Sequence, residues 1–307
     1  MKLLDTIKKL IYLAPCRCGR TYYHCNIQPS ADNIKLTFTP TNKYLFIDPR
    51  REDEEFMPER FHAFEKAEHI GIAIGQIEFF LKSKGIEYSV DGDSVVELVI
   101  NSANIDSNDD LSVYATHKHA HRSFDMDQKV DANTLDVLEN KIDTFLSSYN
   151  GHKILVDDPA VVKKLRALAV YWESSGDMCD GAPQMKAPLI LSVPPKEYDL
   201  IHYLHMGRLY ADIALTAISA GYQFAYSNTF NYPDPRVKRV QEHLFLDYDA
   251  YTVDTVVPRS FMCIGKALDP NKPYNWVAEE NIYNDDIQPS CILVTKEFVQ
   301  VKELEVV

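Results

Sequence analysis

A chain of 307 residues, 46% hydrophobic and 25% charged, is long enough to bury its own core without disulfide or metal staples and has a globular composition. Its formal charge of −13 argues against a sequence-independent grip on nucleic acid, which needs a field that displaces phosphate counterions. No apolar run reaches the length of a bilayer span, so no membrane partner is expected.

In chain order, the alternating charged and apolar residues from Leu3 to Leu13 predict a helix ended by Pro15, without the unbroken apolar stretch of a signal peptide. Cys16, Cys18, Cys25, Cys179, Cys263 and Cys291 are too sparse for a secreted disulfide scaffold. Reduced thiols and a cytoplasmic location are therefore expected. Residues 34 to 47 predict two short strands around a Pro40-Thr41-Asn42 turn. From Pro58 to Lys84, apolar or small residues recur at Phe64, Ala67, Gly71, Ile74, Ile77 and Leu81, which predicts a long helix closed by Gly85. Ile86 to Val90 and Val95 to Ile100 then read as strands about Asp91-Gly92-Asp93.

The polar, acidic stretch Asn104 to Asp110 is the best linker and divides the chain into segments 1–110 and 111–307. Beyond it, Leu135, Leu138, Ile142, Phe145 and Leu146 share one side of a helix from Thr134 to Ser148, with Asn133 or Thr134 as its cap. Asp157-Asp158-Pro159 opens another helix running to Trp172, and Leu189 to Val193 reads as a buried strand. Leu200 to Ala220 predicts a helix with a row of small residues (Gly207, Ala211, Ala214, Ala217), stopped by Gly221 and followed at once by a strand from Tyr222 to Tyr226. A helix from Asp234 to Leu244 and strands at Phe261 to Gly265 and Cys291 to Val301 complete the series. Residues 58–90 and 200–227 thus share a plan of long helix, glycine stop and strand, which is a weak internal repeat compatible with a pseudo-twofold arrangement.

His117-Lys118-His119-Ala120-His121-Arg122 is a dense basic run in an acidic chain. Lysine and arginine offer charge-assisted donors to a phosphate and histidines add further donors, so a mononucleotide phosphate is a chemically sensible occupant. A solvated surface loop is the plain alternative. A third reading places His117, His119 and His121 on a strand, where alternation would turn all three one way toward a zinc ion.

Ala115 to Asp125, followed by Lys129-Val130 and the helix from Thr134, resembles the opening motif of the FMN-dependent nitroreductase family, in which an Arg-x-Ser-x-Arg/Lys segment wraps the flavin phosphate and ribityl chain. By that resemblance Lys118 takes the first basic place with His119 beside it, Ala120 replaces the serine, and Arg122 takes the second basic place. Loss of the serine hydroxyl weakens flavin binding by about 0.5 to 1.5 kcal/mol. Asp157 to Leu165, Met185 to Val193, His205 to Tyr222 and Arg236 to Lys266 resemble later family segments in the same order, so the likeness covers about residues 112 to 276. The family's ring-seating Ala-Pro-Ser-x-x-Asn-x-Gln-Pro-Trp segment is missing after the helix at 134–148, where Asn150 alone could donate to a flavin carbonyl. A version of it stands at Ala14 to Tyr23, which nominates Arg17 and Arg20 near the ring. Soon after Gly265 stand Lys266 and Lys272, and no arginine follows to reach the phosphate.

The resemblance implies an α/β protein of nitroreductase-like fold, an α+β sandwich with a central mixed or antiparallel sheet flanked by helices. Segment 1–110 would be a degenerate half and 111–307 the nitroreductase-like domain. It further implies FMN as cofactor, NAD(P)H as reductant, a small-molecule acceptor such as a nitroaromatic or quinone, and a pseudo-dimeric monomer or homodimer. The alternative is a binding module that keeps the fold and has lost or weakened flavin binding. Other residues have simpler readings: Cys16, Cys18 and Cys25 as packing thiols, Tyr22, Tyr23, Trp172 and Trp276 as core aromatics, and His202 and His205 as capping or surface groups.

Overall fold

The computed structural model describes residues 2–15, 23–41, 59–92, 95–101, 110–118, 128–147, 151–156, 200–227, 256–266 and 291–298. The chain divides into two compact units: Met1–His119 with Tyr198–Ser219, and Ala120–Glu197 with Ala220–Val307. Helices and antiparallel strands make up both, so the α/β content expected from the sequence is present. The described strands form two four-stranded antiparallel sheets, one in each unit.

The first unit begins with α1 (Lys2–Leu13), whose Leu3, Ile7 and Leu10 recur at helical spacing and are buried, as is Ala14 just beyond it, while Tyr12 on the other side is exposed. Pro15 cannot continue the helix. The hairpin β1 (Tyr23–Pro29) and β2 (Asn33–Pro40) turns at Ser30, whose hydroxyl accepts from the Asn33 amide at 3.0 Å. The sequence reading placed this turn at Pro40-Thr41-Asn42. Pro40 instead ends β2, whose hairpin partner β1 lies upstream, and residues 42 to 47 fall outside the described residues.

Strands β3 (Tyr88–Asp91) and β4 (Val96–Asn101) complete the sheet in the order β1-β2-β4-β3, antiparallel throughout. Register puts Ile34 opposite Ile100, Leu36 opposite Leu98 and Phe38 opposite Val96, and all six are buried. This is the period-two face that packs on the helices. On the other face Lys35 and Glu97 pair at 2.7 Å.

Two long helices run through the core of this unit: α2 (Glu59–Ser83) and α5 (Leu200–Ser219). Each is followed by a glycine in the left-handed region, Gly85 at φ 64° and Gly221 at φ 80°, a conformation that costs a side-chain-bearing residue energy and that ends a helix cleanly. The helices touch backbone to backbone. A Cβ on Gly71 would strike the Leu204 carbonyl oxygen, one on Gly207 would strike that of Glu68, and one on Gly75 would lie 2.7 Å from the Arg208 carbonyl oxygen. Because Gly71 meets 204 and 207 while Gly75 meets 208 and 211, the two helices run in the same direction along the contact. The repeat seen in the sequence has a fixed spacing here. A shift of 136 residues (207 − 71) lays His69 on His205, Gly71 on Gly207, Gly75 on Ala211, Ile77 on Ile213, Ser83 on Ser219 and Gly85 on Gly221. Short α3 (Ser112–Lys118) packs near α1 and α5, with Tyr114 edge-on to Phe79 and Phe80 at 6.4 Å each.

In the second unit, α4 (Ala132–Ser147) buries Leu138 and Ile142. Its cap is Asp131, not Asn133 or Thr134: Asp131 Oδ1 accepts from the Thr134 amide at 2.9 Å and Oδ2 from the Thr134 hydroxyl at 2.8 Å. The sheet β5 (Gly151–Val156), β6 (Gln223–Ser227), β7 (Val256–Gly265) and β8 (Cys291–Phe298) has the order β5-β8-β7-β6 and is antiparallel, with an irregularity in β7 between Pro258 and Ser260. The expected helices at 157–172 and 234–244, the strand at 189–193 and the linker at 104–109 lie outside the described residues. Among the described residues no helix is long and apolar enough to cross a membrane.

Candidate functional site

The basic run begins at the end of α3. Residues 112 to 118 are helical, which removes the strand on which His117, His119 and His121 would have faced one way. His117 instead turns into the core, 4% exposed, with Nδ1 2.7 Å from Gln76 Oε1. The identity of the donor follows from the next link. Gln76 Nε2 donates to the Leu10 carbonyl at 2.8 Å, and a carbonyl can only accept, so the Gln76 oxygen must face the imidazole and His117 Nδ1 must carry the proton. Burial holds His117 well below the ordinary histidine range, at about 3, so the ring is neutral. Its Nε2 keeps a lone pair with no hydrogen-bond partner among the described residues.

Lys118 is the last residue of α3. The other nominated residues, His119, Ala120, Arg122, Arg17, Arg20 and Asn150, lie outside the described residues, as do Tyr22, Trp172 and Trp276. The structure therefore fixes where the cationic run starts: on a helix end tied to α2 and α1 by the His117, Gln76 and Leu10 chain. Among the described residues no group of three His, Cys, Asp or Glu is placed to hold a metal ion. Cys25, half-buried, has its thiol pushed up to about 12 by burial, so it is a protonated packing group.

Sequence reasoning missed a polar cluster in the crossing of the long helices. Arg208 donates to Glu78 through Nε at 2.9 Å and Nη2 at 2.6 Å, a two-pronged ion pair in which Glu78 is 4% exposed and Arg208 29%. Tyr88, on β3, hydrogen-bonds the same carboxylate, and its hydroxyl is pushed up to about 12, first by burial and then by the negative charge of Glu78. Lys66, Glu68, His69 and His202 are also buried on these helices. His202 is 1% exposed and stands edge-on to Tyr203 at 5.7 Å, which corrects its reading as a capping or surface group. Tyr23 is a core aromatic as expected, edge-on to Phe38 at 5.5 Å. The sequence signal for the cluster was present: Gln76 and Glu78 interrupt an otherwise apolar run from Ile70 to Leu81.

In the second unit Lys266, a basic residue considered for the flavin phosphate, donates to the Gly221 carbonyl at 2.7 Å and lies 4.2 Å from the centre of the Tyr222 ring. The Tyr222 hydroxyl in turn donates to Asp131 Oδ2 at 2.8 Å. This tie joins the cap of α4 to the start of β6 and occupies the lysine locally. No protein-family model matches this chain, and no curated protein matches it significantly.

Proposed function

We propose that the chain is an FMN-dependent oxidoreductase of nitroreductase type, in which the segment leaving α3 holds the flavin phosphate. The observation that carries this reading is the anchored start of a cationic run in a protein of net charge −13. A solvated loop needs no buried tether, whereas a phosphate clamp gains from one, because fixing the chain before binding lowers the ordering cost of each contact. The donor set suits a phosphate monoester: Lys118 and Arg122 bring permanent charge, and His119 adds a ring donor. His117 is excluded from that set, since it stays neutral and turned inward.

Bound flavin would supply the redox chemistry, accepting hydride from NAD(P)H and passing it to a small acceptor such as a nitroaromatic or quinone. The protein's part is to bind and orient. By the family resemblance Lys118, His119 and Arg122 would neutralise the phosphate, Ala120 would bring no side-chain hydroxyl to it, and Arg17, Arg20 and Asn150 would donate toward the ring. Replacement of Arg122 by alanine is expected to lower the flavin content of purified protein at least tenfold in affinity, since a charge-assisted contact to phosphate is worth about 1.5 to 3 kcal/mol. Fluorimetric flavin titration of R122A against the parent checks this, and equal affinity would remove the phosphate role from Arg122. The Ala120 substitution favours a second reading, a binding module with weakened flavin affinity; such a protein would bind added FMN weakly and show no NAD(P)H oxidation.

A further inference from the structure

We propose that the Glu78–Arg208 ion pair is a pairing lock that commits α2 to the α5 of its own chain and turns away both like-with-like pairings between copies of the chain. The inference does not depend on flavin.

The contact between the helices has an internal exchange symmetry. Under the shift of 136 residues, the contact of Gly71 with Leu204 becomes that of Gly207 with Glu68, and both are present. The small residues Gly71 and Gly75 on one helix and Gly207 and Ala211 on the other supply the same clearance. Backbone shape alone would therefore admit α2 against a second α2, or α5 against a second α5, each drawn from another copy of the chain.

The ion pair breaks that equivalence. Exchanging the helices carries the Glu78 and Arg208 contact onto positions 214 and 72, which are Ala214 and Ile72, both fully buried. One side of the crossing is thus ionic and its counterpart apolar. Two copies of α2 would set a buried Glu78 against Ile72, with no cation at the facing position, and two copies of α5 would set Arg208 against Ala214, with no carboxylate at the facing position. Leaving the buried Glu78 without its partner penalises the α2 pairing most and losing the partner of the partly exposed Arg208 penalises the α5 pairing less, while the mixed pairing is satisfied. The same asymmetry continues into the sheets. Tyr88, whose hydroxyl reaches Glu78, corresponds under the shift to Phe224, which has no hydroxyl.

Full-length chains carrying two different affinity tags, unfolded together in urea and refolded at high concentration, test the lock. Mixed-tag dimers are counted by sequential capture, and mass by sedimentation velocity. The parent and the swapped pair E78R/R208E are expected to refold as monomers. The symmetrised variant E78A/R208I, whose second side copies the Ile72 and Ala214 side, is expected to fold and to give at least tenfold more mixed-tag dimer. R208E alone, which sets two carboxylates together in the mixed pairing, is expected to form mixed-tag dimers that adding E78R suppresses. A folded E78A/R208I that stays as monomeric as the parent overturns the proposal, as does a parent that already forms mixed-tag dimers to the same extent. Should E78A/R208I fail to fold, an R208E variant as stable and monomeric as the parent overturns it equally.

Discussion

His117 carries one ring proton, and the atoms around it decide where that proton sits. The Leu10 carbonyl orients the Gln76 amide, and the amide fixes the proton on Nδ1, so the tautomer of the first residue of the basic run is set from α1, through α2, while burial keeps the ring neutral. The folded ring protonates only near 3, while the unfolded ring does so near the ordinary 6.5. Acid therefore favours the unfolded state. The stability due to this group is complete above pH 6.5 and is lost as pH falls toward 3, at ~1.4 kcal/mol for each pH unit. Urea unfolding between pH 7 and 5 is expected to show a fall of about 2 kcal/mol that is missing from H117Q, whose side chain does not titrate. A variant that keeps the whole pH dependence would place the titration elsewhere. The basic run was legible from its density alone. The inward turn of His117 was not, because its partner Gln76 lies 41 residues away and that residue's own acceptor a further 66.

Helices were the most legible elements, since α1, α2, α4 and α5 each repeat apolar or small residues every three or four positions and two of them end at glycine. Strands were read where apolar residues alternate, as in β3 and β4, and were missed in β1, where Tyr-His-Cys-Asn-Ile-Gln-Pro is largely polar, and in β5, which follows the helix directly. Edge strands carry only one paired side and need less apolar surface, which is the position of both. The small residues of α5 pointed to close approach, and the structure supplies the partner. At Gly207 an added methyl would meet the Glu68 carbonyl, part of a rigid helix that cannot yield. At Gly85 it would meet nothing within 4 Å, so only the left-handed backbone resists it. Gly207→Ala is accordingly expected to cost roughly 2 to 3 kcal/mol and Gly85→Ala about 1 kcal/mol. Thermal or urea unfolding of the two variants checks the order, and equal losses would mean that the helix contact is looser than described.

For the whole molecule, two features have to be explained together: an acidic body with one dense basic segment, and a long-helix plan written twice at a spacing of 136 residues (207 − 71). The second copy of the plan was visible in the sequence as helix, glycine and strand. Its register was not, because only the crossing at Gly71 and Gly207 shows which positions correspond. The ionic side of that crossing also escaped the sequence, where Glu78 and Arg208 stand 130 positions apart. The proposed flavin site assigns the basic segment a ligand, and the repeat accounts for the matched clearance of the two long helices at their crossing. The direct measurement is the absorbance spectrum of the natively purified, full-length protein, with released cofactor identified by mass. The account predicts a yellow protein that yields close to one FMN per chain and is bleached by NAD(P)H under anaerobic conditions. A colourless protein whose spectrum is unchanged by added FMN would contradict it.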